Sequence, residues 1–285
     1  MQNNGAFMRI LLSAILSFFA LFTVTEAQTL ERIKATGELR VGYRTDAAPL
    51  SYEKDGQPQG YTPIVCFALA PLIGQQLGMT DMEVVFVPVD TKNRFEMVAS
   101  GQIDLLCGAA TITLKRRELV DFSIPVYVDG TAVALRREAP DTLEQLSGSK
   151  IGVRSGTTTF EALENTLTAE NIEAEIVTFA SHPDGMAALE NNEVQAYFAD
   201  QSILMDMVMN SNKQDKLKIF GGILMVEKHG LAMVRGDSDF RLAVDRALSE
   251  LYVNGSMEKA FRKAMPEAEP GGALEALYLI APTIK

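Results

Sequence analysis

Val41-Gly42-Tyr43-Arg44-Thr45 and Ile151-Gly152-Val153-Arg154-Ser155 follow one plan: a short apolar run with a glycine inside it, closed by an arginine and a hydroxyl residue. Each run has the length and composition of a buried strand, and each precedes a helical stretch. Later pieces echo in the same order, with Ser100-Gly101-Gln102-Ile103-Asp104 matching Asn191-Asn192-Glu193-Val194-Gln195 as a turn into the next strand. Two units of similar plan, strands alternating with helices, predict an α/β fold with a mostly parallel sheet in each half.

Working outward from the first run, Leu39 to Tyr43 is a strand. Thr62 is then expected to cap a helix with Pro63 at its first position, running to about Leu77 where Gly78 stops it. Pro71 inside that helix predicts a kink. Met82–Val89 reads as a strand, Arg94–Ser100 as a helix and Ile103–Cys107 as a third strand. The second unit begins after Phe122-Ser123-Ile124-Pro125, and no stretch between the units has the Pro, Gly or Ser content of a flexible linker. The halves should therefore be joined by ordered crossing strands, near Val126–Gly130 and near Val226–His229. A helical tail, Asp239–Met265, should return to the first half. This places residues 28–127 with 230–285 in one lobe and 128–229 in the other.

The 285 residues carry 37 acidic and 26 basic side chains, a net charge of -11, with 47% hydrophobic content and no tryptophan. Nucleic acid is excluded as the main partner, because phosphate binding needs a surplus of Lys and Arg. Residues 1–27 are of a different kind: Arg9 precedes an uncharged run of 16 residues, Ile10 to Thr25, and the segment closes on Thr25-Glu26-Ala27. That reads as a cleaved secretory signal peptide, the run being shorter than the ~20 apolar residues of a membrane span. The alternative is an uncleaved anchor. Cleavage removes one charge of each sign, so the exported chain keeps its net charge of -11. Two His and two Cys, in no CxxC or HExxH arrangement, give no basis for a built-in metal site. In an oxidising compartment Cys66 and Cys107 could form a disulfide, or they could be two small buried hydrophobes.

Ligands of open α/β sheets collect where strand ends meet helix starts. In this acidic chain those positions are cationic: Arg44 after the first strand, Arg94 near a helix start, Arg116 after the third strand and Arg154 after the first strand of the second half. A guanidinium holds a carboxylate through two parallel charge-assisted hydrogen bonds. Taken singly, each arginine reads first as an ordinary solvated side chain; four at strand ends point to an anionic ligand. Ser155-Gly156-Thr157-Thr158-Thr159 opens a helix and is either an anion site or plain capping; it lacks the GK[ST] of a Walker loop. Asp200 follows the strand Val194–Phe198 and precedes the helix Ser202–Val208, where it suits a ligand ammonium or serves as N-cap. His182, in the turn Ser181-His182-Pro183-Asp184-Gly185, is an exposed loop residue by default and otherwise a proton-dependent donor to an anion. Without a GxSxG motif, and with two His, a Ser-His-Asp arrangement has little to build on.

Thr111-Ile112-Thr113-Leu114-Lys115-Arg116, with Val120-Asp121-Phe122-Ser123 and Pro125-Val126-Tyr127 after it, resembles the signature of solute-binding proteins of polar amino-acid ABC importers. So does Leu143-Glu144-Gln145-Leu146 leading into Lys150-Ile151-Gly152-Val153-Arg154-Ser155-Gly156-Thr157-Thr158. The resemblance runs from Leu30 to about Met265 and is greatest toward glutamate/aspartate-binding proteins. It implies a type II periplasmic binding fold, two α/β lobes closing on one amino acid, and a periplasmic protein that works without a cofactor. The expected protein is a monomer that docks on a membrane permease. In its terms Arg44 and Asn93-Arg94 receive the ligand's side-chain carboxylate with His182, Arg116 grips the α-carboxylate with Thr111 and Thr157, and Asp200 receives the α-ammonium. Two positions depart: Ala109 stands where a serine is usual, and Arg154 replaces a smaller residue, adding charge that favours an acidic ligand. Some relatives of this fold are cyclohexadienyl dehydratases acting on prephenate or arogenate, and an enzyme of that kind is the alternative.

Overall fold

The computed structural model describes residues 29–139, 142–220 and 222–283; the expected signal peptide lies outside them. The chain opens with α1 (Thr29–Thr36), β1 (Glu38–Arg44), the small hairpin strands β2 (Asp46–Ala47), β3 (Ser51–Lys54) and β4 (Gln57–Gln59), and α2 (Tyr61–Gln76). Then come β5 (Glu83–Val89), α3 (Arg94–Ala99), β6 (Leu105–Leu106) and α4 (Leu114–Arg117). The long β7 (Val120–Arg136) leads into β8 (Lys150–Arg154), α5 (Thr158–Ala169), β9 (Glu175–Phe179), α6 (His182–Glu190), β10 (Ala196–Asp200), α7 (Gln201–Met209) and β11 (Leu217–Ile219). β12 (Met225–Val234) crosses back to α8 (Ser238–Val253), α9 (Ser256–Ala264) and α10 (Gly272–Ile280).

The main sheet runs β5-β1-β6-β12-β7-β10-β8-β9, with β11 on β7. Its two flanks are parallel: β1 with β5 from Glu38↔Glu83 to Arg44↔Val89, and β8 with β9 and β10. Between them β7 and β12 pair antiparallel, from Val120↔Val234 to Thr131↔Met225, with a register shift at Gly230. These are the crossing strands expected near Val126–Gly130 and Val226–His229. Parallel strands covered on both faces need side chains that are apolar throughout rather than in alternation. That explains why Val41 to Tyr43 and Ile151 to Val153 are buried without a break. The glycine in each echoed run has a steric cause. A Cβ on Gly42 would lie 2.4 Å from Ile103 Cδ1, and one on Gly152 would lie 2.9 Å from the rings of Phe179 and Tyr197.

Helices cover the sheet through separate cores. Leu39, Val41, Leu69, Ile73, Phe240, Val244 and Phe261 unite β1, α2, α8 and α9, so the C-terminal helices do pack on the first half. In the second half β7 splits its side chains by strand periodicity. Ala132 and Ala134 face Met186, Tyr197 and Leu204, whereas Val133 and Leu135 face Ile151, Leu163 and Phe198.

Two local expectations change. Helix α2 starts at Tyr61 behind Gly60 (φ 108°) with no side-chain cap. The Thr62 hydroxyl instead donates to the carbonyls of Leu50 and Cys107, because this helix start is buried against the loop after β6 and must satisfy those acceptors. The third strand contracts to Leu105–Leu106, since only that segment reaches β1. α2 continues through Pro71 to Leu77, and Gly78 follows with φ 70°, the left-handed residue that ends helices. Cys66 and Cys107 are bonded; their Cα atoms are 6.4 Å apart, which fixes α2 to the chain just after β6.

Candidate functional site

The carboxyl ends of β1 and β10 and the starts of α3, α5 and α6 converge at the crossing strands. Arg44 is the last residue of β1, Arg94 the first of α3 and Asp200 the last of β10. Arg116 sits on α4, a one-turn helix whose cap Thr113 accepts a hydrogen bond from the Arg116 backbone N–H. These four, with Thr111, Thr157 and His182, line one cavity of about 10 Å³, room for about one water. Seven of the nine side chains singled out in the sequence thus meet. Arg154 and Asn93 do not line it, and Asn93 Oδ1 accepts from the Asp90 N–H instead.

The arginines are held in different ways. Arg44, 1% exposed, donates through Nε to Asp46 Oδ1 at 2.8 Å and through Nη2 to the same oxygen. Arg94, 2% exposed, donates Nη1 to the Ala109 carbonyl at 2.8 Å, and its Nε has no partner. Arg116 donates Nη1 to the Thr111 carbonyl at 2.8 Å. The guanidinium carbons of Arg94 and Arg116 lie 4.8 and 5.0 Å from the Phe95 ring centroid, so one aromatic ring supports both cations. Among the described residues neither Arg94 nor Arg116 has a carboxylate within ion-pair distance, although Arg94 is buried and Arg116 half-buried. Burial, then the charges of Arg44 and Arg116, push the affinity of Arg94 for its proton well down; a guanidinium keeps its proton, so the cost is stored as desolvation and repulsion that an anion would relieve.

His182 is not an exposed loop residue. It is the first residue of α6, 2% exposed, with Nδ1 3.0 Å from the Tyr197 hydroxyl. Helix α6 packs on β8 and β10 and draws the ring inside. Burial and the neighbouring Arg44 push His182 down to about 3, so it is a neutral imidazole at physiological pH. Arg154 is 4% exposed and bridges the halves: Nε donates to Asp46 Oδ2 at 2.8 Å and Nη1 to Thr91 Oγ1 at 2.8 Å.

Opposite the arginines lies an acidic pole. Asp200 occupies the N-cap position of α7, yet its side chain makes no capping hydrogen bond. Its Oδ2 is instead 3.5 Å from His229 Nε2, which is itself 3.8 Å from Glu227 Oε2. Glu227 accepts hydroxyl hydrogen bonds from Thr111 and Thr158, whose oxygens lie 3.2 Å from each other. The Thr111 carbonyl meanwhile holds Arg116. The Thr157 hydroxyl likewise donates to the Arg154 carbonyl and accepts from Phe160 N–H as the cap of α5. Burial pushes Asp200 up to about 7 against the pull of His229, with Asp129 and Glu227 adding to the rise.

Asp46, Asp129, Glu227 and His229 were not singled out in the sequence. Glu227 and His229 are two apart on a crossing strand, hence on one face; charged residues at alternate positions of a strand expected to be buried are the signal that could have found them. Asp46 left no such mark.

The geometry is a set of guanidiniums and a carboxylate pole lining one cavity, between two α/β halves joined by paired strands. Residues 39–267 match the model of bacterial extracellular solute-binding proteins, family 3, and the chain belongs to that family. Its fold is that of type II periplasmic binding proteins, and its work, like theirs, is binding and not catalysis. A curated relative, the L-glutamate/L-aspartate-binding protein of Pseudomonas aeruginosa, is 25% identical over 260 residues, covering 90% of this chain and 86% of that one. The L-cystine-binding protein of Escherichia coli is 23% identical, covering 92% and 95%. A solved structure of an ancestral amino acid-binding protein, described as a precursor of cyclohexadienyl dehydratase, is 25% identical with a TM-score of 0.71, covering 82% of this chain and 98% of that one.

Proposed function

We propose that this protein is the periplasmic amino-acid-binding component of an ABC importer and that its ligand is an acidic amino acid, L-glutamate, L-aspartate or a close relative. The observation that carries the reading is the pair of guanidiniums without carboxylate partners among the described residues, buried Arg94 and half-buried Arg116, in one cavity with Asp200. Buried charges are normally paired, and a zwitterion with a second carboxylate supplies two anions to the arginines and one cation to Asp200. His182, neutral, adds a hydrogen-bonding group at the Arg44 end of the cavity. Residues 28–127 with 230–285 and residues 128–229 act as lobes that hinge at β7 and β12. Closure is favoured by contacts made only when both lobes touch the ligand, namely Arg44, Arg94 and Arg116 on one side with Thr157, His182 and Asp200 on the other. The closed monomer then docks on a membrane permease after export and loss of residues 1–27.

A thermal-shift screen over the amino acids and small dicarboxylates, followed by calorimetry, tests this, because a ligand of the folded state raises its melting temperature. Glutamate or aspartate should give the largest shift. Stabilisation by neutral or basic amino acids alone would overturn the acidic specificity, and enzymic turnover of prephenate or arogenate would overturn the binding-protein reading.

A further inference from the structure

Asp46 joins two of the arginines, one from each half. Its Oδ1 accepts from Nε and Nη2 of Arg44, and its Oδ2 accepts from Nε of Arg154 at 2.8 Å. Arg154 is held from behind, where Nη1 donates to Thr91 Oγ1 at 2.8 Å and to the Ser155 carbonyl at 3.1 Å. Thr91 in turn donates to that same carbonyl at 2.9 Å, so the guanidinium has little freedom to leave. Burial would raise the Asp46 carboxyl, but Arg44 and then Arg154 hold it down to about 2, and its charge persists across the working pH range. Neither Asp46 nor Arg154 lines the cavity. Both act on it through Arg44, which lines the cavity: Asp46 engages the Nε and Nη2 edge of that guanidinium, leaving Nη1 without a hydrogen bond among the described residues, and sets a negative charge beside that cation. Arg154 offsets that negative charge from the far side.

We propose that Asp46 and Arg154 are specificity-determining residues that set the net positive charge Arg44 presents to a ligand's second carboxylate, and thereby the preference for acidic over amide side chains. The inference rests on the reading of the cleft as an acidic-amino-acid site. A merely structural ion pair would behave differently, since breaking it from either end would then have the same kind of effect. A charge-setting pair gives effects of opposite sign: Asp46→Asn leaves two cations at the site, whereas Arg154→Met leaves the Asp46 charge balanced by Arg44 alone.

The test is calorimetric titration of the full exported chain and both variants with glutamate, glutamine, aspartate and asparagine, after thermal melts confirm folding; Asp46→Ser and Arg154→Gln replace a variant that does not fold. The glutamate-over-glutamine affinity ratio should rise on the order of tenfold in Asp46→Asn and fall on the order of tenfold in Arg154→Met, the effect of one charge about 10 Å away at an effective dielectric of about 20. Arg154→Lys, which keeps the charge, should restore most of the ratio. Ratios that move in the same direction, or stay put, in both variants would overturn the inference and leave the proposed function standing. Failure of the unaltered protein to bind any acidic amino acid would overturn the functional reading itself.

Discussion

Replacing Asp200 by Asn, and titrating pH around the unaltered protein, probes the acidic pole of the cleft. Asp200 is faced by Asp129 from β7, Glu227 and His229 from β12 and Arg44 from β1. Burial lifts its carboxyl to about 7, His229 Nε2 lies 3.5 Å away, and burial notwithstanding, Glu227 and the other carboxylates raise the His229 imidazole above its usual range. The cluster titrates as a unit. A ligand ammonium seated beside Asp200 favours the ionised carboxylate and disfavours an imidazolium, so binding expels a proton from the cluster. The sign follows: below about pH 7 the pole holds a proton that the ligand must displace, and affinity falls as pH falls, by up to about tenfold per pH unit or ~1.4 kcal/mol. Calorimetry at about pH 6 in buffers of different ionisation enthalpy counts the protons released and should find up to about one. Asp200→Asn removes one partner of the buried charge pair, which costs about 2 to 5 kcal/mol of binding, and it should flatten the pH slope as well. Retention of affinity within about threefold in Asp200→Asn, or unaltered protein that releases no proton, would refute the placement of the ammonium.

Arg116→Ala should weaken binding by about 2 to 5 kcal/mol with little change in melting temperature, because the half-buried side chain bonds only the Thr111 carbonyl and lies over the Phe95 ring; calorimetry beside thermal melts separates the two effects. Removing the Cys66–Cys107 bridge, which spans 41 residues, as a double Ala variant should lower stability by about 4 kcal/mol from loop entropy, read by urea denaturation. In Gly185→Ala the new methyl would meet the Tyr197 ring at 2.0 Å. The gain in helix propensity of about 1 kcal/mol is smaller than the overpacking cost of about 1 to 3 kcal/mol, so unfolding measurements should show net destabilisation. The displaced Tyr197 hydroxyl should also release His182 and weaken ligand binding.

Much of this protein was legible in its sequence because the relevant information is local. Uninterrupted apolar runs such as Val41 to Tyr43 mark parallel strands, glycines at 42 and 152 mark close packing, and a residue that ends a strand is placed at the cleft by that fact alone. Arg44 and Asp200 were found in this way, and Arg94 and Arg116 by their nearness to a helix start and to the third strand. What only the tertiary structure decided is which of these groups line the cavity and which face one another. Arg154 sits at the same local position as Arg44, yet it meets Asp46 across a sequence separation of 108, and Thr111 meets Glu227 across 116. His182 reads as a polar turn residue until α6 packs on β8 and β10. Strand and helix are set by the neighbours of each residue in the chain, whereas charge pairing in the cleft depends on sheet register and on the approach of two halves, and no short stretch of sequence carries that.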